Sequence, residues 1–163
     1  MKTYIRWMIS RDMAEVLEIE RLSFEYPWSE DEFKKTLRTR NCIGMVAVDT
    51  KTYAVVGYMV YELAKNSIRL LNFAVAGHAR KRGVGRMLMA KLTGKLSPQR
   101  RSRVSADVRE RNLDAQLFMR ACGFVATCVK RDFYEETQED AFHFVYRHPA
   151  KGLAVAQAAG ETH

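Results

Sequence analysis

The sequence predicts an α/β protein in which a mixed, largely antiparallel central sheet is flanked by helices. Short turns separate the strands of the first half, and strands joined in this way pair antiparallel. The second half alternates strands and helices, which is typical of a sheet with helices on its faces. The chain has 163 residues, of which 47% are hydrophobic, and a chain of this size buries its apolar surface around one core.

The individual elements follow from β-favouring runs, three-four helical spacing and turn residues, in the order β-α-α-β-β-β-α-β-α-β-β. The predicted strands are 3–9, 42–48, 54–63, 68–75, 103–108, 124–129 and 141–146. The predicted helices are 12–24, 29–38, 83–96 and 113–122. The second helix opens with a capping box, in which Ser29 accepts a hydrogen bond from the amide of Glu32. We expect one domain over residues 1–149 and a disordered tail over residues 150–163, which are small, polar and aperiodic.

Composition excludes several classes of protein. Arg6 interrupts the apolar run that a secretory signal needs, and no segment reaches the roughly 20 apolar residues that span a bilayer. The three cysteines form no C-x-x-C pair, and the four histidines lack paired spacing. These patterns argue against a disulfide framework and a metal site. We expect a cytoplasmic protein without membrane contact or metal.

The most informative stretch is the basic, glycine-containing turn Arg80-Lys81-Arg82-Gly83-Val84-Gly85-Arg86 between a strand and a helix. The first amides of a helix have no acceptor within it, and together with the helix dipole they form an anion site. Gly83 and Gly85 lack Cβ atoms, so a phosphate can come close to the main chain. The spacing matches neither G-x-x-x-x-G-K-[ST] nor G-x-G-x-x-G, which disfavours a nucleoside-triphosphate loop and a dinucleotide fold. Taken alone, the turn is equally consistent with a solvated basic loop.

Three stretches of the chain resemble the GCN5-related N-acetyltransferase superfamily, and within it the bacterial ribosomal-protein-alanine N-acetyltransferases. They are Phe73 to Leu88, Ala106 to Asn112 with Ala115 and Gly123-Phe124, and Pro27-Trp28-Ser29. The resemblance covers residues 11–149. It implies acetyl-coenzyme A as co-substrate and transfer of its acetyl group to a primary amine. The acceptor it implies is the N-terminal α-amino group of a protein such as a ribosomal protein.

The resemblance also implies which residues form the site. The backbone of Phe73 to Val75 would meet the acetyl and pantetheine portion, and the amides of Lys81 to Arg86 would hold the pyrophosphate. The implied cofactor-binding residues are Phe73, Ala74, Val75, Arg80, Lys81, Arg82, Gly83, Val84, Gly85, Arg86 and Asn112. For Asn112, turn formation is the alternative. Phe24 and Trp28 are expected to line the peptide entrance, with simple packing as the alternative.

Two departures from the family's pattern affect proton transfer. Asp107 replaces a glutamate, and Met119 stands where a tyrosine acts as general acid; methionine cannot donate a proton. We expect Asp107 to be the general base, acting through one water because its side chain is shorter; the alternative is a cap on the turn toward Asn112. Tyr134 is expected to be the substitute acid or to grip the peptide, and the alternative is an exposed loop aromatic.

Other functions stay open at this stage. The net charge of +8 and the cations Lys95, Arg100, Arg101 and Arg103 are compatible with a basic nucleic-acid-binding module, although no recognised nucleic-acid motif accompanies them. Met119 keeps open a catalytically weakened acetyl-coenzyme A sensor. The acceptor amine is alternatively that of lysine or a small molecule. We expect at most non-specific nucleic-acid contact, and a monomer or homodimer.

Overall fold

The computed structural model describes residues 1–150. In this part of the chain the strands are β1 (Thr3–Trp7), β2 (Cys42–Asp49), β3 (Val55–Leu63), β4 (Ser67–Val75), β5 (Arg103–Arg109), β6 (Val125–Tyr134) and β7 (Glu139–Arg147). The helices are α1 (Met13–Ser23), α2 (Glu30–Arg38), α3 (Val84–Thr93) and α4 (Leu113–Ala121). Two short 3-10 helices, Ser10–Asp12 and Gly77–Ala79, precede α1 and the basic turn. The predicted tail lies outside the described residues, apart from residue 150.

The chain divides into two compact units. Unit 1 comprises Met1–Leu63 and Leu70–Lys91, and unit 2 comprises Ala64–Arg69 and the chain from Leu92 onward. Strands follow the order β1-β2-β3-β4 in unit 1 and β5-β7-β6 in unit 2. The element order and the predicted class, α/β with a mixed and largely antiparallel sheet flanked by helices, are confirmed. The single domain over residues 1–149 stays a prediction.

The core of unit 1 is built on β2 and β3, which pair antiparallel with Met45 opposite Met59. Residues 55–61 are buried without interruption, as expected for a strand covered on both faces. Helix α1 contributes Val16 and Ile19 to this core. Helix α2 begins as predicted, because Ser29 Oγ accepts a hydrogen bond of 3.1 Å from the Glu32 amide.

Gly57 in β3 allows α3 to approach the sheet closely. A Cβ atom at this position would lie 3.2 Å from both the carbonyl oxygen of Ala74 and Cδ1 of Leu88, and 3.3 Å from Cγ1 of Val84. These distances are shorter than comfortable carbon contacts. The start of α3, which follows the basic turn, is therefore positioned by direct packing on β3.

Unit 2 presents one apolar and one polar face of β5. Val104, Ala106 and Val108 are buried. Asp107 and Arg109 alternate with them and are only half-buried, because successive strand residues point to opposite faces. In the register of β5 and β7, Asp107 lies directly opposite His143.

Several predicted boundaries are wrong: β1 ends at Trp7 rather than Ile9, β7 begins at Glu139 rather than Ala141, and the differences are larger in α3 and β6. Helix α3 ends at Thr93 rather than 96, where the amides of Lys95 and Leu96 bond to the carbonyls of Leu92 and Thr93 in a tighter turn. Strand β6 runs to Tyr134 rather than 129, and its charged residues 130–132 gave no strand signal. Pairing with β7 places Tyr134 opposite Glu139, so sheet pairing overrides local propensity there.

Candidate active site

The predicted cofactor segment lies in unit 1, where β4 ends and α3 begins. Phe73, Ala74 and Val75 are the last three residues of β4. The Arg80 guanidinium folds back and donates from Nε to the Val75 carbonyl oxygen at 3.2 Å. Arg80, Lys81, Arg82 and Arg86 are exposed, Gly85 is half-buried, and Val84 is buried in the core. The turn therefore carries four cations at the surface while its helix is fixed from below.

The turn has a backbone shape that suits an anion. Lys81 and Gly83 have positive φ angles of 61° and 83°, a region that glycine adopts without steric cost. A Cβ atom at Gly83 would find no atom within 4 Å, so the space beside this amide is open. The first amides of α3, which begins at Val84, lack acceptors within the helix. These residues fit the pyrophosphate of acetyl-coenzyme A.

A buried carboxylate in unit 1 was not predicted as part of any network. Glu20 is 2% exposed and accepts hydrogen bonds from the Trp28 amide at 2.9 Å, from Asn72 Nδ2 at 2.9 Å and from the Tyr58 hydroxyl. Burial, together with the Glu20 charge, raises the pKa of Tyr58 well above its usual value. Asn72 in turn accepts from the Phe73 amide at 2.9 Å. Glu20 thus ties the loop after α1 to the strand that carries Phe73.

The two aromatic residues predicted for the peptide entrance lie in this same region. The Trp28 ring packs edge-on against buried Phe33, with centroids 5.1 Å apart. Phe24 caps the end of α1, where its amide bonds to the Glu20 carbonyl oxygen at 3.1 Å. Both side chains are half-buried. Trp28 therefore has the packing role that was the alternative, and a role for both residues in the peptide entrance stays a prediction.

Asp107 in unit 2 has two partners. Its Oδ1 lies 2.7 Å from His143 Nδ1, and its Oδ2 accepts from Lys130 Nζ at 3.1 Å. The carboxylate side chain is 26% exposed and the imidazole 24%. The alternative of a turn cap toward Asn112 is wrong, because within residues 1–150 the carboxylate bonds across the sheet instead.

A second group of side chains surrounds Tyr134. Arg109 lies with its guanidinium carbon 3.7 Å from the centre of the Tyr134 ring, and it donates to Glu136 at 2.7 Å and to buried Glu139 at 3.3 Å. Glu139 also accepts from the Arg111 amide at 3.0 Å. Tyr134 is half-buried at the end of β6, so the alternative of an exposed loop aromatic is wrong, and its role as acid or peptide contact stays a prediction.

The environment of Tyr134 determines what its hydroxyl can do. Burial raises its pKa to about 12, against the opposing charge of Arg109. A thiol such as that of coenzyme A has a pKa near 8.5, so full proton transfer from Tyr134 to the thiolate is unfavourable by roughly 3–4 pH units. The hydroxyl nevertheless stays protonated at neutral pH. Its chemistry is therefore that of a hydrogen-bond donor.

Asn112 and Met119 lie at opposite ends of α4. Asn112 is the N-cap, and its Oδ1 accepts from the Ala115 amide at 3.1 Å. The turn-forming alternative describes this contact, and cofactor binding by Asn112 stays a prediction. Met119 is 5% exposed and belongs to the core of unit 2. The position of the family's acid is thus filled by an apolar packing residue.

The basic residues proposed for nucleic acid are only partly available. Arg101 donates from Nε to the Ala64 carbonyl oxygen at 2.7 Å, and Arg103 lies opposite Arg147 in the sheet. Lys95 and Arg100 are exposed. Over residues 1–150, no three His, Cys, Asp or Glu side chains are grouped as metal ligands. No helix in that range is long and apolar enough to cross a membrane.

Sequence reasoning missed His143, Lys130 and the acceptor role of Glu20. His143 is 36 residues from Asp107, and Lys130 is 23 residues away. Only the strand register brings them together, and register follows from turn geometry and face patterning that short motifs do not carry. For Glu20, a charged residue among the apolar positions of α1 was the available signal, since buried carboxylates require partners.

The chain is similar to known acetyltransferases in both sequence and fold. The profile of the acetyltransferase (GNAT) family matches residues 13–124. A Salmonella typhimurium protein named [ribosomal protein bS18]-alanine N-acetyltransferase is 26% identical over 132 residues, covering 80% of this chain and 87% of that protein. The crystal structure of Ard1 from Thermoplasma volcanium superposes with a TM-score of 0.79 at 25% identity, covering 91% of this chain and 99% of that one. The crystal structure of the ribosomal-protein-S18-alanine N-acetyltransferase from Escherichia coli superposes with a TM-score of 0.76 at 20% sequence identity. The match covers 90% of this chain and 94% of that one.

An anion-binding turn before a helix and a polar strand face with proton acceptors and donors are what an acyl-coenzyme A transferase requires. The chain belongs to the acetyltransferase (GNAT) family. It is an enzyme that transfers an acetyl group from acetyl-coenzyme A to a primary amine, so the predicted family, activity and co-substrate are confirmed. The expected oligomeric state, nucleic-acid contact and cytoplasmic location stay predictions.

Proposed function

We propose that the acceptor is the N-terminal α-amino group of a protein, and that a ribosomal protein is the substrate. The observation that carries the proposal is the polar face of unit 2, where the Asp107 carboxylate and the His143 imidazole form a hydrogen-bonded pair that can take up the proton of an amine. Similarity to the Salmonella ribosomal-protein-alanine N-acetyltransferase over 80% of this chain supports the choice of substrate.

Proton chemistry favours an α-amino group over lysine. An amine must be neutral to attack a thioester, and an α-amino group has a pKa of about 7.7–8.0 against about 10.4 for lysine. At neutral pH the α-amino group is therefore roughly 300-fold richer in the reactive form. Carboxylate and imidazole groups complete such a deprotonation easily, whereas lysine demands a stronger base.

The proposed site residues divide by task. The backbone from Phe73 to Val75 and the turn from Arg80 to Arg86 hold acetyl-coenzyme A, with Asn112 on the cofactor side. Phe24, Trp28 and Tyr134 contact the peptide. Tyr134 donates a hydrogen bond to the departing thiolate or to the peptide backbone, in keeping with its protonated hydroxyl. Asp107, with its hydrogen-bonded partner His143, takes part in removing the proton from the acceptor amine.

A peptide panel tests the acceptor. Ribosomal-protein N-terminal peptides that start with alanine and contain one internal lysine would be incubated with acetyl-coenzyme A, and the acetylated position read by mass spectrometry. The matched control is the same peptide with its α-amino group blocked. We expect acetylation at the α-amino group and none of the blocked peptide. Acetylation at lysine in both peptides would refute the proposal.

A further inference from the structure

His143 is the unassigned ionisable group with the most direct contact to the proposed site. It lies on β7 directly opposite Asp107 of β5 and Cys128 of β6. Its imidazole makes a 2.7 Å hydrogen bond to Asp107 Oδ1. A carboxylate accepts hydrogen bonds, so this contact places a proton on Nδ1 and leaves Nε2 as the basic nitrogen of the neutral ring.

The second ring nitrogen is open. Within residues 1–150, the hydrogen bond of the imidazole is the one that Nδ1 makes to Asp107. Every buried side-chain nitrogen or oxygen in that range has a hydrogen-bond partner. Because Nε2 has no such partner there, it is not buried and is accessible to solvent or to an incoming amine. Asp107 has the opposite situation, because one oxygen is taken by His143 and the other by Lys130.

We propose that Nε2 of His143 is the general base for the acceptor amine and that Asp107 orients the ring. This inference rests on the proposed function. The α-ammonium group first loses one proton to Nε2, and the neutral amine nitrogen then forms the C–N bond with the acetyl carbonyl carbon. The C–S bond breaks, its electron pair leaves on the coenzyme A sulfur, and the second proton of the nitrogen passes to that thiolate. The imidazolium releases its proton to solvent, and the neutral ring is restored.

Asp107 is a positioning residue in this scheme. Its carboxylate fixes the tautomer of His143 and stabilises the transient imidazolium by charge, as an aspartate does for histidine in hydrolytic triads. Lys130 holds the other carboxylate oxygen at 3.1 Å, which fixes the carboxylate plane. The groups that face His143 from its neighbouring strands are therefore Asp107 from β5 and Lys130 and Cys128 from β6.

Chemical rescue tests the base directly. His143→Ala would be assayed with the alanine-starting peptide at pH 7, with and without added imidazole, together with His143→Gln in case the smaller variant fails to fold. We expect kcat/KM to fall about 100-fold in both variants, within the usual contribution of a general base. Imidazole should restore activity to the alanine variant in a saturable way. Binding of acetyl-coenzyme A, measured by calorimetry, should be unchanged.

The pH profile gives a second readout. In the His143 variants, the rate should follow the fraction of neutral amine and rise through pH 8. The difference in activity between wild type and variant should therefore become smaller at alkaline pH. His148→Ala is the matched control, because the His148 ring accepts a hydrogen bond from the Ala150 amide, and its contact with Ser102 is made by the backbone amide, which the substitution keeps. We expect this variant to keep full activity and the wild-type profile.

The outcomes separate the two proposals. Full activity of His143→Ala at pH 7, or a loss that imidazole does not relieve and that leaves the pH profile unchanged, would overturn the role of His143. Failure of the wild-type enzyme to acetylate any N-terminal peptide would instead overturn the proposed acceptor. Loss, rescue and an altered profile together support the imidazole as base.

Discussion

Two carboxylates in the two units have opposite surroundings. Glu20 in unit 1 is 2% exposed, and its partners are two amide N–H groups and a hydroxyl. Asp107 in unit 2 has a side chain that is 26% exposed, and its partners are an ammonium and an imidazole. The first carboxylate is enclosed by donors that do not titrate at neutral pH, which suits a structural role. The second is paired with an imidazole side chain that is 24% exposed, which suits the proposed role in proton transfer.

The largest expected effect is on the stability of unit 1. Glu20→Ala leaves three donors without their acceptor in the core, so we expect the free energy of unfolding to fall by about 3 kcal/mol or more. Urea unfolding monitored by circular dichroism measures it. The control is Glu18→Ala on the same helix, whose pair with Arg21 is exposed and screened by solvent, so its urea midpoint should stay close to that of the wild type. Equal midpoints for the two variants would contradict the structural role of Glu20.

The reverse pattern is expected for Asp107→Asn. Asparagine keeps the size of the side chain but cannot stabilise the imidazolium by charge, so kcat/KM should fall about 100-fold. The free energy of unfolding should change by less than about 1 kcal/mol, because the site reaches solvent. Steady-state kinetics and urea unfolding on one preparation test both parts. Asp114→Asn, on the exposed first turn of α4, serves as the control; an Asp107 variant that is active but unstable would reverse the comparison.

A smaller effect is expected at the turn from Arg80 to Arg86, where we propose that the backbone binds the pyrophosphate. Gly83→Ala introduces a Cβ at a φ of 83° beside the proposed pyrophosphate, and we expect affinity for acetyl-coenzyme A to fall about 10-fold, or ~1.4 kcal/mol. Gly77→Ala is the matched control, since its Cβ also meets no atom within 4 Å and its φ is not positive. Calorimetry on both variants decides; equal weakening would argue against the turn as the anion site.

The smallest effect is expected at Tyr134. Because its pKa is about 12 rather than 10.0, the tyrosine contributes stability that is complete below pH 10 and is lost as the pH rises toward 12. Tyr134→Phe should lower kcat only a few-fold near pH 7. It should also remove the part of the loss of stability at alkaline pH that ionisation of Tyr134 causes. Activity assays and thermal unfolding between pH 7 and 11 test the prediction, with exposed Tyr53→Phe as control. A basic limb of activity near pH 9 that vanishes in Tyr134→Phe would show that the pKa is lower.

The sequence is informative where function depends on the backbone. The basic turn from Arg80 to Arg86 could be located because glycines, cations and a helix start are contiguous, and the order of elements followed from turns and periodicity. The Ser29 cap is local for the same reason and was predicted correctly. The end of β6 was not, because residues 130–132 join the sheet through pairing with β7.

Contacts between side chains that are distant in the sequence could not be predicted from the sequence, for a physical reason. The Asp107–His143 contact joins residues 36 positions apart, and Glu20 to Asn72 spans 52. Such contacts depend on strand register and helix packing, which a one-residue shift would abolish. The motif predicted a catalytic role for Asp107, which stays a prediction, but it gave no sign of the His143 ring, and the intervening water was predicted without it.

The close packing around Gly57 restricts which residues can replace it, although Gly57 lies outside the turn from Arg80 to Arg86. Val84 and Leu88 occupy the space that any larger side chain at position 57 would need. A substitution there is expected to displace the first turn of α3, and with it the amides that we propose to hold the pyrophosphate. Smaller residues at 84 or 88 would relieve only part of the clash, because the Ala74 carbonyl oxygen, 3.2 Å from such a Cβ atom, belongs to the backbone. In a mutational library selected for acetyl-coenzyme A binding, position 57 should therefore stay glycine.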